Sequence, residues 1–334
     1  VIATVSGLAR GPLLAALALL LAPAVCPAQE PKPGKIVRIG RLSPLSAAAD
    51  AHHVEAFRKS LRELGWIEGA GFVIESRFAD GQSARLPELA AQLVRERVDL
   101  ILTGSNPGAL AAKNATRTIP IVMVTTGDPV RGGIVASLAH PGGNVTGVTA
   151  LGQTLYAKRL DLIKEAVPGI GRVAILVNPA SVYTAPLLRD KDTWARTLGL
   201  RIPVLEAGRP DDLEKAFAAL AAERAGALLV QTDALFITHR RRIVELAARS
   251  RVPAVYGERE SVDAGGLMFY GASLPGMYRE AAVYADRILK GARPADLPVA
   301  QPTTLELVIN LKAAKALGLT IPAPVLARAD HLVE

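Results

Sequence analysis

Two rhythms of hydrophobic positions alternate along this chain. Short, β-branched apolar runs at 36–40, 72–75, 98–102 and 119–124 read as strands. Between them, apolar residues recur every three or four positions. Val54, Phe57, Leu61 and Leu64 mark a first helix, which Gly65 is placed to end. Leu86, Leu89 and Leu93 mark a second over 86–95, and Asn106-Pro107 opens a third through 115. The pattern then repeats, with strands at 173–177, 202–205, 227–230, 254–256 and 267–270. Helices are expected over 185–198, from Asp211-Asp212 to 223, and over 241–249. The 98–102 run is apolar at nearly every position, as in a sheet covered on both faces.

Strand–helix alternation in both halves predicts an α/β protein of two doubly wound, mostly parallel-sheet lobes. Three segments are candidates for passage between them: the turn-rich run 140–147, 271–275, and the proline-rich 293–302. Lobes joined by several strands bend at a multi-strand hinge without separating. The expected division is 36–148 with about 274–298 for the N-terminal lobe. The C-terminal lobe then takes 149–273 with about 299–334.

The first 28 residues change the picture of where this happens. One basic residue, Arg10, precedes an apolar run over 13–24, and Val25-Cys26-Pro27-Ala28 supplies small residues. That is the pattern of a secretory signal cut after Ala28, so a periplasmic protein is expected. Lipidation at Cys26 is the alternative, with Pro23-Ala24-Val25 a poor lipidation box. Cys26 is the only cysteine, so the processed chain has no disulfide, thiolate nucleophile or cysteine metal site. The formal charge of +8 comes from Lys and Arg spread among acids. The densest cluster, Arg240-Arg241-Arg242, falls on an expected helix with Glu245 and reads as a solvated face, so no nucleic acid is expected.

Ligands of open parallel sheets sit beyond the C-terminal ends of the strands, and that rule selects loops. Strand one leads to Ser43. Strand three leads to Gly104, Ser105 and Asn106, with Asn106 placed to cap a helix and Pro107 suited to its first position. The free N–H groups there suit a carboxylate, and Gly104 would let a ligand approach the backbone. Strand four leads to Thr126 and Asp128, the latter either a partner for a ligand ammonium or the organiser of a turn. In the second half the same rule selects Asn178, Tyr183, Asp233, Tyr256 and Tyr270. Aromatic rings suit a planar ligand face and carboxylates its amine.

Enzyme readings find little support. The five histidines, 52, 53, 140, 239 and 331, have no metal-ligand spacing, and His52-His53 is expected to pack on the first helix. Gly104-Ser105-Asn106-Pro107-Gly108 misses the nucleophile-elbow spacing, and Val148 stands where a P-loop needs Lys. No catalytic residue, metal or cofactor is expected.

Several stretches carry a resemblance across nearly all of the processed chain. They are Arg62-Glu63-Leu64-Gly65-Trp66-Ile67-Glu68-Gly69, Ile119-Pro120-Ile121-Val122 and Gly127-Asp128-Pro129-Val130. Next comes Leu138-Ala139-His140-Pro141-Gly142-Gly143-Asn144-Val145-Thr146-Gly147, which holds the most specific piece. Pro294-Ala295-Asp296-Leu297-Pro298-Val299, Glu306-Leu307-Val308-Ile309-Asn310-Leu311-Lys312 and Ala316-Leu317-Gly318-Leu319 complete the set. With these the chain resembles the bacterial ABC-transporter substrate-binding proteins that include tryptophan- and tyrosine-binding members. The resemblance implies the type I periplasmic-binding clamshell, a small-molecule ligand between the lobes, and delivery to a membrane permease driven by an ATPase. A monomer is expected. An aromatic amino acid with its carboxylate near Ser105 and Asn106 is the leading ligand. A receptor for a membrane sensor kinase would need the same clamshell and stays open as an alternative.

Overall fold

The computed structural model describes residues 35–334. The expected signal over residues 1–28 lies outside the described residues.

The first sheet holds β1 (Val37–Ser43), β2 (Phe72–Phe78), β3 (Leu100–Thr103), β4 (Ile121–Thr125) and β5 (Val145–Thr149). Its order is β2-β1-β3-β4-β5, with every pairing parallel. Successive side chains in a strand point to opposite faces, and both faces are covered. Leu100, Leu102, Val122 and Val124 pack with Phe57 and Leu61 of α1 (Ala47–Glu63). Ile101, Ile121 and Met123 pack with Leu93 of α2 (Leu86–Arg95) and Ala109 and Ala112 of α3 (Asn106–Ala115). Double coverage explains why these strands read as continuous apolar runs.

The second sheet is built alike. It comprises β6 (Val173–Val177), β7 (Val204–Glu206), β8 (Ala227–Val230), β9 (Ala254–Tyr256), β10 (Met268–Gly271), β11 (Glu306–Asn310) and β12 (His331–Val333), in the order β12-β11-β10-β9-β8-β6-β7. Only the β10–β11 pairing is antiparallel. Val173, Ile175 and Val177 pack with Leu160 and Ile163 of α4 (Tyr156–Ala166) and Leu187 of α5 (Thr184–Leu198). Ala174 and Leu176 pack with Phe217 of α6 (Asp212–Ala222). The short α7 (Ala234–Thr238) precedes α8 (Arg240–Arg249), whose Ile243 joins the same cluster. The basic cluster is a solvated face, although Arg242 pairs with Glu214 of α6 rather than with Glu245.

The chain passes between the sheets three times. The first passage follows β5 and the second follows β10. The third lies between Ala300, which bridges Val148 beside the first sheet, and β11 in the second.

Two elements were not read from the sequence, although the chain does pass between the sheets at the expected 271–275. Residues 271–275 open a 16-residue helix, α10 (Leu274–Leu289), which returns to the first sheet. Tyr278, Ala281 and Ala285 pack there with Phe57 and Leu61 of α1. Pro275 and Gly276 resemble turn residues, but both fall in the first turn, where Pro is tolerated and Ser273 caps Gly276 N–H. The 140–147 run leads into edge strand β5 rather than out of the lobe. Asn144 Nδ2 donates to the carbonyls of Thr116 (3.1 Å) and Ile119 (2.8 Å). Gly147 sits at φ +136°, where an added Cβ would lie 2.1 Å from the Met123 carbonyl oxygen. The most specific stretch of the resemblance therefore builds the sheet edge.

Candidate functional site

The C-terminal ends of both sheets face each other, and the two sides touch. The Tyr183 ring lies over Gly127, where an added Cβ would come within 2.5 Å of it. Gly81 approaches the Leu235 backbone of α7. His52 Nε2 of α1 lies 2.6 Å from Glu260 Oε1 of α9 (Glu260–Asp263). These contacts make a closed arrangement of the cleft.

A cavity remains at its centre. Gly104, Ser105, Asn106, Thr126, His53 and Tyr278 line one wall. Tyr183, Thr232 and Asp233 line the other. Tyr183 also borders two wider pockets at the mouth, of about 330 and 440 Å³, so its ring partitions the space.

Of the residues selected from the sequence, Gly104, Ser105, Asn106, Thr126, Tyr183 and Asp233 thus share one cavity. Several of their side chains hold local structure. Ser105, not Asn106, caps α3: its Oγ accepts from Gly108 N–H at 3.0 Å. Asn106 is the first helical residue, and its Nδ2 donates to the Asp128 carbonyl (3.0 Å). Asp128 Oδ1 accepts from Val130 and Arg131 N–H, organising a turn, while the residue borders the outer pockets. Asp233 caps α7 through Leu235 N–H and accepts from Asn178 Nδ2 (3.0 Å). Asn178 is buried behind it.

The remaining three sit apart from the cavity. Ser43 is fully buried, with its Oγ taking Leu45 N–H. Tyr256 packs in the core beneath α6 and α8. Tyr270 packs against the α4-side core, and its carbonyl accepts from Arg159 Nε. Gly104, besides lining the cavity, has a use that was not expected. An added Cβ would lie 2.3 Å from Tyr278 Oη and 2.8 Å from Arg41 Nη2, so the glycine admits a buried polar cluster.

That cluster went unread in the sequence. Arg41 donates to Asp50 through Nε (2.9 Å) and Nη2 (2.6 Å), and Nη2 also donates to Tyr278 Oη (2.7 Å). Burial works against both charges, but each holds the other ionised. Asp50 stays well below the usual carboxylate range and Arg41 is raised. The cluster ties β1 to α1 and α10 behind the cavity wall.

Arg159 was missed as well. It lies in the first turn of α4, and only 2% of it is exposed. Its Nε donates to the Tyr270 carbonyl (2.8 Å), while Nη1 has no hydrogen-bond partner among the described residues. Its guanidinium sits at the ends of β8–β10. An added Cβ on Gly257 would lie 3.1 Å from Arg159 Nη2 and 1.9 Å from Thr232 Oγ1, which lines the cavity. Burial lowers its proton affinity, partly offset by Tyr156 and Glu258. Burial likewise pushes the Glu258 carboxyl up to about 7, against the hydrogen bond from Ser261 Oγ. Thr232 Oγ1, Tyr183 Oη and Asn106 Oδ1 also lack partners among the described residues. Buried polar groups are normally paired; of the unpartnered atoms, these three belong to residues that line the cavity. A signal was present: Arg159 falls on the stripe of Tyr156, Ile163 and Ala166, all buried.

Comparisons with known proteins agree with this architecture. A conserved domain protein from Vibrio cholerae superposes with a TM-score of 0.82 at 28% identity, over 89% of this chain and all of that one. An ABC domain from Streptococcus pneumoniae, solved in complex with L-Trp, gives 0.79 at 25% identity, over 88% and 100%. A tyrosine-binding protein of Clostridioides difficile is 28% identical over 265 residues, 79% of this chain and 76% of the relative. Two parallel-dominated sheets meet across a cleft, and the family model described as ABC transporter substrate binding protein matches residues 38–333; the chain belongs to that family.

Proposed function

We propose that this protein is the exported binding component of an importer and that it captures an amino acid with an aromatic side chain in the interlobe cleft. The observation that carries the reading is the buried Arg159 with an unpartnered Nη1, close behind the cavity-lining Thr232. A ligand carboxylate would supply the missing acceptor in a charge-assisted pair. Asn106 Oδ1, buried and unpartnered on the opposite wall, is an acceptor for the ammonium. Tyr183 offers a ring face to the side chain. Relatives that bind L-Trp and tyrosine support the class. This places the carboxylate on the second-sheet wall rather than at Ser105, whose hydroxyl is committed to its cap.

A zwitterion held from both walls makes some contacts only when the cleft is closed. That difference shifts the population toward the closed form, which a membrane permease then recognises. The lobe boundaries we propose are 36–148 with about 274–298, and 149–273 with about 299–334. The leader would place the protein in the periplasm, as a monomer.

A thermal-shift screen tests the ligand class. At a hundred times its dissociation constant a ligand stabilises by about 2.7 kcal/mol. L-tryptophan, L-tyrosine or L-phenylalanine should raise Tm by several degrees, and sugars should not. Stabilisation by sugars alone would reject the amino-acid reading.

A further inference from the structure

A second ligand group sits where α1 of one lobe meets α9 of the other. His52 Nε2 lies 2.6 Å from Glu260 Oε1, and His53 Nε2 lies 3.7 Å from the same oxygen. One ligand atom from each of the three residues lies within 4.8 Å of the others. His53 is 2% exposed, and neither ring nitrogen has a hydrogen-bond partner among the described residues. Its Nδ1 faces Asp50 Oδ1 at 3.5 Å. Asp50 is locked by Arg41, and the His53 ring is stacked on Tyr278 at 4.9 Å.

This geometry has a direct chemical reading. A carboxylate behind Nδ1 favours the tautomer with its proton there. The Nε2 lone pair then points toward the Glu260 carboxylate, and His52 brings another ring nitrogen to the same oxygen. At present a proton joins His52 Nε2 and Glu260 Oε1 in a 2.6 Å hydrogen bond, and a divalent cation among the three groups would take its place. Two imidazoles and a carboxylate form a donor set suited to a borderline-soft divalent ion such as Zn2+, bound at about 2.0–2.2 Å per ligand. Ligands around such a tetrahedral ion stand about 3.3 Å apart, so the three groups need only small shifts. The orienting carboxylate that such sites require is already present in Asp50.

We infer that His52, His53 and Glu260 form a divalent transition-metal site that bridges the two lobes and holds the cleft closed. An ion bound by both lobes binds the closed form alone, so it shifts the lobe equilibrium by its binding free energy. His53 also lines the central cavity, so the ion would adjoin the ligand there, whichever small molecule occupies it.

The test uses untagged protein stripped of metal with a chelator, titrated calorimetrically with ZnCl2. One Zn2+ per chain should bind in the wild type. Glu260→Gln and His52→Ala should each weaken binding about tenfold or more. His140→Ala, at an exposed histidine remote from α1, should leave it unchanged. His52 is the more exposed of the two cluster sites, so its variant serves if Glu260→Gln fails to fold. Co2+ should give the visible absorption of a tetrahedral complex, lost in His52→Ala. Small-angle scattering without any organic ligand should show Zn2+ compacting the wild type but not Glu260→Gln. Absence of Zn2+ binding, or binding that survives both substitutions, would overturn the site and leave an ion pair held by a proton. Binding without compaction would overturn the clamp.

Discussion

On the first-sheet wall of the cleft, the side chains that look most like ligand contacts are engaged in folding. Ser105 caps α3, Asn106 Nδ2 holds the Asp128 loop, and Asp128 closes its own turn. On the second-sheet wall, Arg159 Nη1, Thr232 Oγ1 and Tyr183 Oη are buried with no partner among the described residues. Asn106 Oδ1 and both His53 ring nitrogens on the first wall also lack partners, but the second wall is set apart by the unpartnered guanidinium nitrogen of Arg159. An unsatisfied buried group costs about 1–3 kcal/mol, so the second wall carries a standing penalty that a ligand would relieve. Recognition chemistry is thus better sought among unpaired groups than among polar loop residues as such.

The sharpest way to break this contrast is Arg159→Gln. Removing one partner of a buried charge pair costs about 2–5 kcal/mol of binding, so affinity for the amino acid should fall about 30-fold or more by calorimetry. The ligand-free Tm should hold or rise, because an unpaired buried charge has been removed. A variant with lower Tm and intact affinity would make Arg159 a structural residue. Tyr183→Ala comes next. Its ring borders the central cavity and both outer pockets, so affinity for an aromatic ligand should drop about tenfold through lost ring contact. Tyr183→Phe should retain most of it, and equal losses would assign the hydroxyl a ligand contact instead. The smallest effect belongs to Ser105→Ala. It should lower unfolding stability by about 1 kcal/mol in a denaturant titration and leave ligand affinity unchanged. A large affinity loss would restore Ser105 to the site and erase the difference between the walls.

Much of the fold was legible because double-sided burial writes itself into composition. Runs such as Leu100-Ile101-Leu102 supply both faces of a sheet at once. Elements opened by turn-type residues were harder to read. Ser273, Pro275 and Gly276 hide the start of α10, and Pro141 to Gly147 hides an edge strand. At the site, the rule of strand C-terminal ends found the loops but not the groups left unpaired within them. Arg159 precedes strand β6 on a helix, outside the reach of that rule, although it falls on that helix's buried stripe. His53 was likewise expected on the first helix, yet the contacts that bury it come from α9 and α10, over 200 residues away. Pairings at that separation leave no local trace.

The position of α10 has a consequence for how the chain comes to be folded. Phe57 and Leu61 need Tyr278, Ala281 and Ala285 as partners, and Arg41 needs Tyr278. The lobe that begins the chain is therefore finished by residues made near its end, after the intervening lobe has been traversed. Synthesis from the N-terminus cannot deliver the lobes one after the other, and contacts so distant in sequence form slowly. The first lobe stays incomplete until α10 has been made, so the chain folds late and as a whole.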